Sequence, residues 1–159
     1  MVRVAIEGSL ATCKAHLDNI PTSDLAKPEI ESQLVASLIV LIVSEYEVLI
    51  RDLFRQRIAL CRDQHVCNYF EKSTFRRTFT SPDVKKITTI LAMFGGNYQQ
   101  QFLSAVRPHE SAAWDSIVYE RHAVVHKSST RQMTLRELMS TYPLSWKIIG
   151  ALKQTLGLP

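Results

Sequence analysis

Apolar residues recur along this chain at intervals of three and four, in long runs with few glycines and prolines. Such spacing places the apolar groups on one face of an α-helix. Residues 29–60 show it most clearly, at Val35, Leu38, Ile39, Ile42, Tyr46, Leu49, Leu53 and Phe54. Pro28 precedes this segment and Glu29 lies in its first turn, where helices favour proline and acidic residues. The pattern predicts one long helix.

Apolar residues almost encircle the middle of that helix, between positions 34 and 50. The prediction is therefore a helix that is central in a bundle or that buries a second face against a partner subunit. The most apolar run, 34–43, is too short for a membrane span, which needs roughly 20 residues. We expect a buried helix and no membrane segment.

Prolines and glycines that end helices divide the rest of the chain into shorter helices. They are predicted at 2–19, from position 82 to about 94, at 98–107, at 109–126, at 135–141, and from Pro143 to about 156. Residues 61–81 are expected to be irregular or to form one short helix. No long period-two alternation, internal repeat or linker interrupts the series. The prediction is one all-α domain, residues 1–159, built as a bundle of about five or six helices.

Two helix starts and one apolar face are predicted in more detail. Ser81 is interpreted as a helix cap followed by Pro82 at the first position, and Thr134 with Glu137 as a capping box. In the first helix, the residues expected to point inward are Val4, Leu10, Ala11 and Leu17.

Composition and charge narrow the functional classes only slightly. The formal net charge of +4 permits a polyanionic partner without requiring one. Three cysteines without a CxxC pair argue against a disulfide framework and fit a reducing compartment. The N-terminal residues lack the apolar core of a signal peptide. A cytoplasmic location is the expectation.

The residues with the most chemical content lie near the end of the helix predicted at 109–126. Arg121 is followed by His122 and, five positions on, by His126. Arginine offers a planar fork that fits phosphate oxygens, and histidine moves protons near neutral pH. Together they suffice to cleave RNA without a metal. Spacing alone is weak support, and the alternative is a surface pair of histidines with Arg121 bound to Glu120 or another acid.

The segment Arg121-His122-Ala123-Val124-Val125-His126 resembles the Arg-x(4–6)-His signature of HEPN domains. The early helix around residues 44–54 is similar to that of the RiboL-PSP-HEPN branch. This resemblance implies an all-α, metal-independent endoribonuclease that works as a homodimer on RNA. It implies that His126 moves the proton of the ribose 2′-OH or of the leaving 5′-oxygen, and that Arg121 stabilises the charge on the phosphate. It further implies a toxin or phage-defence role, with an antitoxin or another regulatory protein as a partner.

Other residues are assigned supporting roles by the same resemblance. His122 is expected to orient the substrate or to support Arg121. Glu45, at the edge of the apolar face of the long helix, is expected to pair with Arg121, although an acid at the bundle surface is the equal alternative. Lys127 and Ser128 open a polar loop beside His126 and are expected to contact RNA.

No metal or cofactor is expected. His122 and His126 have the spacing of a helical zinc pair, but Ala123 occupies the place where a zinc protease carries its glutamate. Cys61, His65 and Cys67 match no recurring zinc spacing. The alternative function is a non-catalytic bundle that binds RNA or a protein through the same groove.

Overall fold

The computed structural model describes residues 2–75, 80–126 and 133–159, with side chains described except at positions 2, 74, 75 and 126. The described residues form seven α-helices and no strand. The helices are α1 Val2–Asp18, α2 Lys27–Ala59, α3 Gln64–Phe70, α4 Val84–Phe94, α5 Gly96–Ala105, α6 Pro108–His126 and α7 Leu135–Thr155. A π-helical turn, Glu71–Phe75, continues α3. The all-α prediction is confirmed, with slightly more helices than expected.

Helix α2 lies at the centre of the bundle and packs against α1, α3, α6 and α7. Its buried residues are Val35, Leu38, Ile39, Ile42, Val43, Tyr46, Ile50, Leu53, Phe54 and Ile58. By length and composition alone, α2 is the one helix among the described residues that could cross a membrane. Its buried residues pack against the other helices of the bundle.

Three helices meet through aromatic rings at the centre of the core. The ring of Tyr46 on α2 stacks on the indole of Trp114 on α6, with centroids 4.2 Å apart. The Tyr46 hydroxyl is hydrogen-bonded to Ser145 Oγ on α7 at 2.5 Å, and the Ser145 hydroxyl also lies 2.8 Å from the Tyr142 carbonyl. Burial raises the pKa of Tyr46 far above its ordinary value. This polar contact is therefore a neutral, permanent part of the core.

The first helix exposes two of its four expected inward residues. Leu10 and Leu17 are buried, but Val4 is 71% exposed and Ala11 also faces solvent. Ile6 takes the inward place instead, four residues before Leu10. Helical geometry explains the correction, because positions 6, 10 and 17 share one face whereas position 4 is turned away from it.

Two helix boundaries also differ from the prediction. Asp83, and not Ser81, caps α4, since its side chain accepts the Lys86 backbone N–H. The capping box of Thr134 and Glu137 is present, but the helix that it opens does not stop before Pro143. Pro143 lies inside one continuous helix, Leu135–Thr155. Buried residues on both sides of the proline hold it helical, so packing overrides the cost of the lost backbone hydrogen bond.

Candidate functional site

The turn that precedes α4 carries the most unusual backbone near the predicted motif. Ser81 is 3% exposed and has φ +47°, a left-handed conformation that is unfavourable for residues other than glycine. Its backbone N–H donates to Glu47 Oε1 on α2 at 2.6 Å. Its Oγ accepts a hydrogen bond from Arg121 Nη1 on α6 at 2.9 Å. Two helices therefore hold Ser81 in a strained conformation.

The next residues of this turn are bonded to α6 as well. The Trp114 indole N–H donates to the Pro82 carbonyl at 2.7 Å, and the Val84 N–H donates to Asp115 Oδ1 at 2.9 Å. We call residues 81–84 the α4 turn. Because α6 supplies three of the side chains that bind it, the α4 turn and α6 act as one rigid unit.

Arg121 is positioned by this unit. Its side chain is half-buried, and its Nε is fully buried with no hydrogen-bond partner among the described residues. Nη1 donates to Ser81, and Nη2 donates to no side chain or carbonyl of the described residues. A buried donor without a partner is costly and requires a physical explanation.

A cleft of about 350 Å³ lies between the α4 turn and α6, and we call it the α4–α6 cleft. Its charged and polar lining residues are Ser81, Asp83, Lys85, Lys86, Asp115, Tyr119 and His122, with Val118 as its aliphatic residue. The volume is near the lower end of the range of roughly 300–1,000 Å³ seen for small-molecule sites. Ser81 lines the cleft and also accepts the hydrogen bond from Arg121, so it connects the cleft with the guanidinium, which is not itself part of the lining.

Helical spacing explains why α6 contributes so many of these residues. Asp115, Val118, Tyr119 and His122 follow one another at intervals of three, one and three, which places them on one face. Position 126 is four residues beyond His122 and continues that face. His126 ends the helix, but its side chain lies outside the described part of the chain. Lys127 and Ser128 also lie outside it.

The electrostatics of the cleft are mixed in sign. Desolvation raises the pKa of Asp115, the Val84 N–H opposes this shift, and the nearby Asp83 carboxylate adds to it. Lys86 donates to the carbonyls of Thr80 and Ser81 at 2.9 and 3.0 Å, so its ammonium group is part of the turn. Lys85 is exposed and makes no such bond to described residues. The cleft thus offers one uncommitted ammonium group opposite a partly buried carboxylate.

The acid of α2 that enters this network is Glu47. Glu45 is half-buried and makes no hydrogen bond or ion pair with described side chains. Two residues along a helix are separated by roughly 200° around its axis, so Glu45 and Glu47 face different ways. Pairing of Glu45 with Arg121 stays a prediction, whereas Glu47 reaches Arg121 indirectly through Ser81.

No cluster of three or more histidine, cysteine or acidic side chains is placed to bind a metal within the described residues. The three cysteines are free thiols. Cys61 is exposed, and the thiol of Cys67 lies near the Ile58 carbonyl at 3.9 Å.

Several residues of the site were missed by the sequence analysis. Ser81 was interpreted only as part of a helix start, and Glu47, Lys85 and Asp115 were given no role. The polar stripe at positions 115, 119 and 122 was visible as a helical spacing. Nothing in the sequence indicates a positive φ at Ser81, because that conformation depends on bonds to residues more than thirty positions away.

Comparison with known proteins gives one family. The sequence matches RiboL-PSP-HEPN over residues 6–157, which is nearly the whole chain and includes the α4 turn, the cleft and the Arg121–His126 segment. No curated protein and no solved structure gives a significant match. The resemblance inferred from the Arg–His segment is thereby confirmed at the level of the family. The protein belongs to the RiboL-PSP-HEPN family.

Proposed function

We propose that this protein is a metal-independent endoribonuclease. His126 accepts the proton of a ribose 2′-OH, the 2′-oxygen attacks the adjacent phosphorus, and the bond to the 5′-oxygen breaks. The products carry a 2′,3′-cyclic phosphate and a 5′-hydroxyl, the latter after protonation by a histidine. DNA is not cleaved because it has no 2′-OH.

The observation that carries this proposal is the fixed guanidinium of Arg121. Ser81 accepts a hydrogen bond from one of the two terminal nitrogens of the guanidinium, and Ser81 itself lines an open cleft. A guanidinium that is already oriented stabilises the extra charge of a pentavalent phosphorus without reorganising during the reaction. Removal of one such donor typically costs about 100- to 1,000-fold in rate.

Other residues supply substrate binding in this proposal. His122 and Lys85 place positive or protonatable groups at the cleft, which favours a phosphodiester strand. Lys127 and Ser128 remain candidates for contact with the RNA. Glu45 remains a candidate for orienting Arg121.

We further propose the biological setting that the family resemblance implies. Two copies of the chain bring two Arg121–His126 sets together across a two-fold axis in the cytoplasm. The enzyme serves as a toxin or phage-defence effector, and an antitoxin or another regulatory protein restrains it. Analytical ultracentrifugation at several concentrations tests the dimer independently of activity.

The test of the nuclease is cleavage of a labelled RNA in the presence of EDTA. Wild-type protein should cut it, whereas His126→Ala and Arg121→Ala should lose at least about 100-fold in rate while keeping the helical circular dichroism spectrum. His65→Ala is the matched control, because His65 is an exposed histidine of α3 and should leave the rate unchanged. Complete inactivity of the wild type on RNA under all conditions would refute the proposal.

A second candidate is a non-catalytic module that binds RNA or a protein. It is favoured by the bond between Arg121 and Ser81, since a guanidinium that holds a strained turn in place has a structural role without catalysis. A binding module should keep its affinity for uncleavable RNA in His126→Ala. In Arg121→Ala, the affinity should fall and depend less on salt. Cleavage in EDTA would eliminate this candidate.

A further inference from the structure

The α4–α6 cleft contains groups that a pure phosphate site would not contain. Asp115 and Asp83 both line it, and two carboxylates repel a phosphate. The same cleft contains the ammonium group of Lys85, which attracts one, and the imidazole of His122, which can form a hydrogen bond to one. A ligand that satisfies both sets must present hydrogen-bond donors at one end and negative charge at the other. A nucleotide has this arrangement, with a base and a phosphate.

Asp115 is the better placed of the two carboxylates for reading a base. Its Oδ1 is committed to the Val84 N–H, which fixes the side chain. Its Oδ2 accepts no hydrogen bond from the described residues. Asp83 uses its own carboxylate to cap α4. Among the four RNA bases, guanine alone presents two adjacent N–H donors, N1–H and N2–H, on its pairing edge, and it therefore suits a carboxylate best.

Tyr119 supplies a surface against which a base can stack. It borders the cleft one turn along α6 from Asp115 and is 68% exposed. Its ring makes no stacking contact with other described aromatic residues. An aromatic ring left exposed at the edge of a polar cleft is the usual platform for an unstacked RNA base.

We infer that the α4–α6 cleft binds a guanine base of a single-stranded RNA, with Tyr119 stacking on the ring, Asp115 accepting its N1–H and N2–H, and Lys85 contacting a neighbouring phosphate. This inference deepens the proposed ribonuclease and rests on it for the role of the base in cleavage. Because Ser81 lines the cleft and also binds Arg121, a guanine in the cleft is connected through Ser81 to the residue proposed to contact the scissile phosphate. The enzyme would therefore prefer to cut beside a guanosine.

Binding is tested separately from cleavage by calorimetry with mononucleotides and short RNAs. The variant His126→Ala is used so that RNA survives the measurement. An RNA trinucleotide with a central guanosine should bind about tenfold or more tightly than its adenosine, cytidine and uridine counterparts. It should also bind more tightly than free GMP; equal affinity would refute RNA as the source of the base. Equal affinity for all four trinucleotides, or no binding of any, would refute the guanine site.

Two substitutions assign the residues. Asp115→Asn keeps an oxygen for the Val84 N–H but replaces Oδ2 with an amide donor, so the preference for guanine should disappear while folding is retained. Tyr119→Ala should weaken binding of every base by roughly tenfold. Tyr69→Ala is its matched control, since Tyr69 on α3 is also 68% exposed but does not line the cleft, and binding should be unchanged. A guanine preference that persists in Asp115→Asn would overturn the assignment.

The two proposals fail in different ways. If wild-type protein cleaves RNA in EDTA without preference for the neighbouring base and binds all trinucleotides equally, the nuclease proposal stands and the guanine site is refuted. If the protein binds guanosine selectively through Asp115 but never cleaves RNA, the guanine site stands and the nuclease proposal is refuted.

Discussion

Replacement of Ser81 by alanine tests whether the α4 turn and Arg121 are energetically coupled. The Ser81 hydroxyl is buried and accepts the Nη1–H of Arg121 at 2.9 Å. Alanine keeps the left-handed backbone and opens no large cavity, so the lost hydrogen bond dominates the effect. Hydrogen bonds to charged groups contribute roughly 1.5–3 kcal/mol. Arg121 is only half-buried and water can replace part of the bond, so we expect a loss of about 2 kcal/mol.

The assay is urea unfolding followed by circular dichroism, supported by thermal unfolding. For a chain of this size, a loss of 2 kcal/mol lowers the melting temperature by roughly 4–8 °C. Ser44→Ala is the control, because Ser44 is exposed on α2 and its replacement should change stability by less than about 0.5 kcal/mol. In an Arg121→Met background, Ser81→Ala should cost almost nothing.

Two results would refute this reasoning. One is a loss below about 0.5 kcal/mol for Ser81→Ala in the wild-type background, which would mean that the hydroxyl contributes no net stabilisation. The other is an equal loss with and without Arg121, which would place the partner of Ser81 elsewhere.

Three further predictions concern the backbone, a carboxyl group and the core. Gly95 joins α4 to α5 at φ +131°, so Gly95→Ala should lower the free energy of unfolding by about 1–3 kcal/mol. Gly150 lies on the exposed face of α7, so Gly150→Ala should raise it by about 0.5–1 kcal/mol. Urea unfolding measures both. Burial raises the folded-state pKa of Asp115, so its stabilising contribution is present below its unfolded-state pKa and is lost as pH rises. The stability of Asp115→Asn relative to wild type should therefore increase from pH 3 to pH 7. A difference that stays constant over this range would contradict the prediction. Tyr46→Phe should lose only about 1 kcal/mol in thermal unfolding, because Ser145 keeps its contact with a backbone carbonyl.

The helical periodicity of the sequence predicted most of the architecture. Of the eight core positions expected on α2, seven are buried and Leu49 is half-buried. Six of the seven helices were placed to within a few residues, except that the last was divided at Pro143. Their positions could be predicted because the apolar spacing repeats at every helical turn over a long segment. The Pro143 error arose because local propensity disfavours proline inside a helix, while the packing that compensates for it is visible only in three dimensions.

The candidate site was predicted much less completely. Arg121 and His122 could be proposed from the sequence because their chemistry is contained in a short segment. Ser81, Glu47 and Asp115 were missed because their roles arise from contacts between residues 31 to 40 positions apart. Such contacts depend on how α2, the α4 turn and α6 come together, and no local pattern carries that information.

The position of Trp114 gives the protein an optical probe of its own candidate site. The indole is fully buried, stacks on Tyr46 and donates to the Pro82 carbonyl. Its emission should be blue-shifted in the folded state and should respond to any movement of the turn that holds Ser81. Trp146, the second indole, lies on α7 under the guanidinium of Arg3. Trp146→Phe therefore leaves a single tryptophan, whose emission can follow nucleotide binding and local opening in real time without an attached dye.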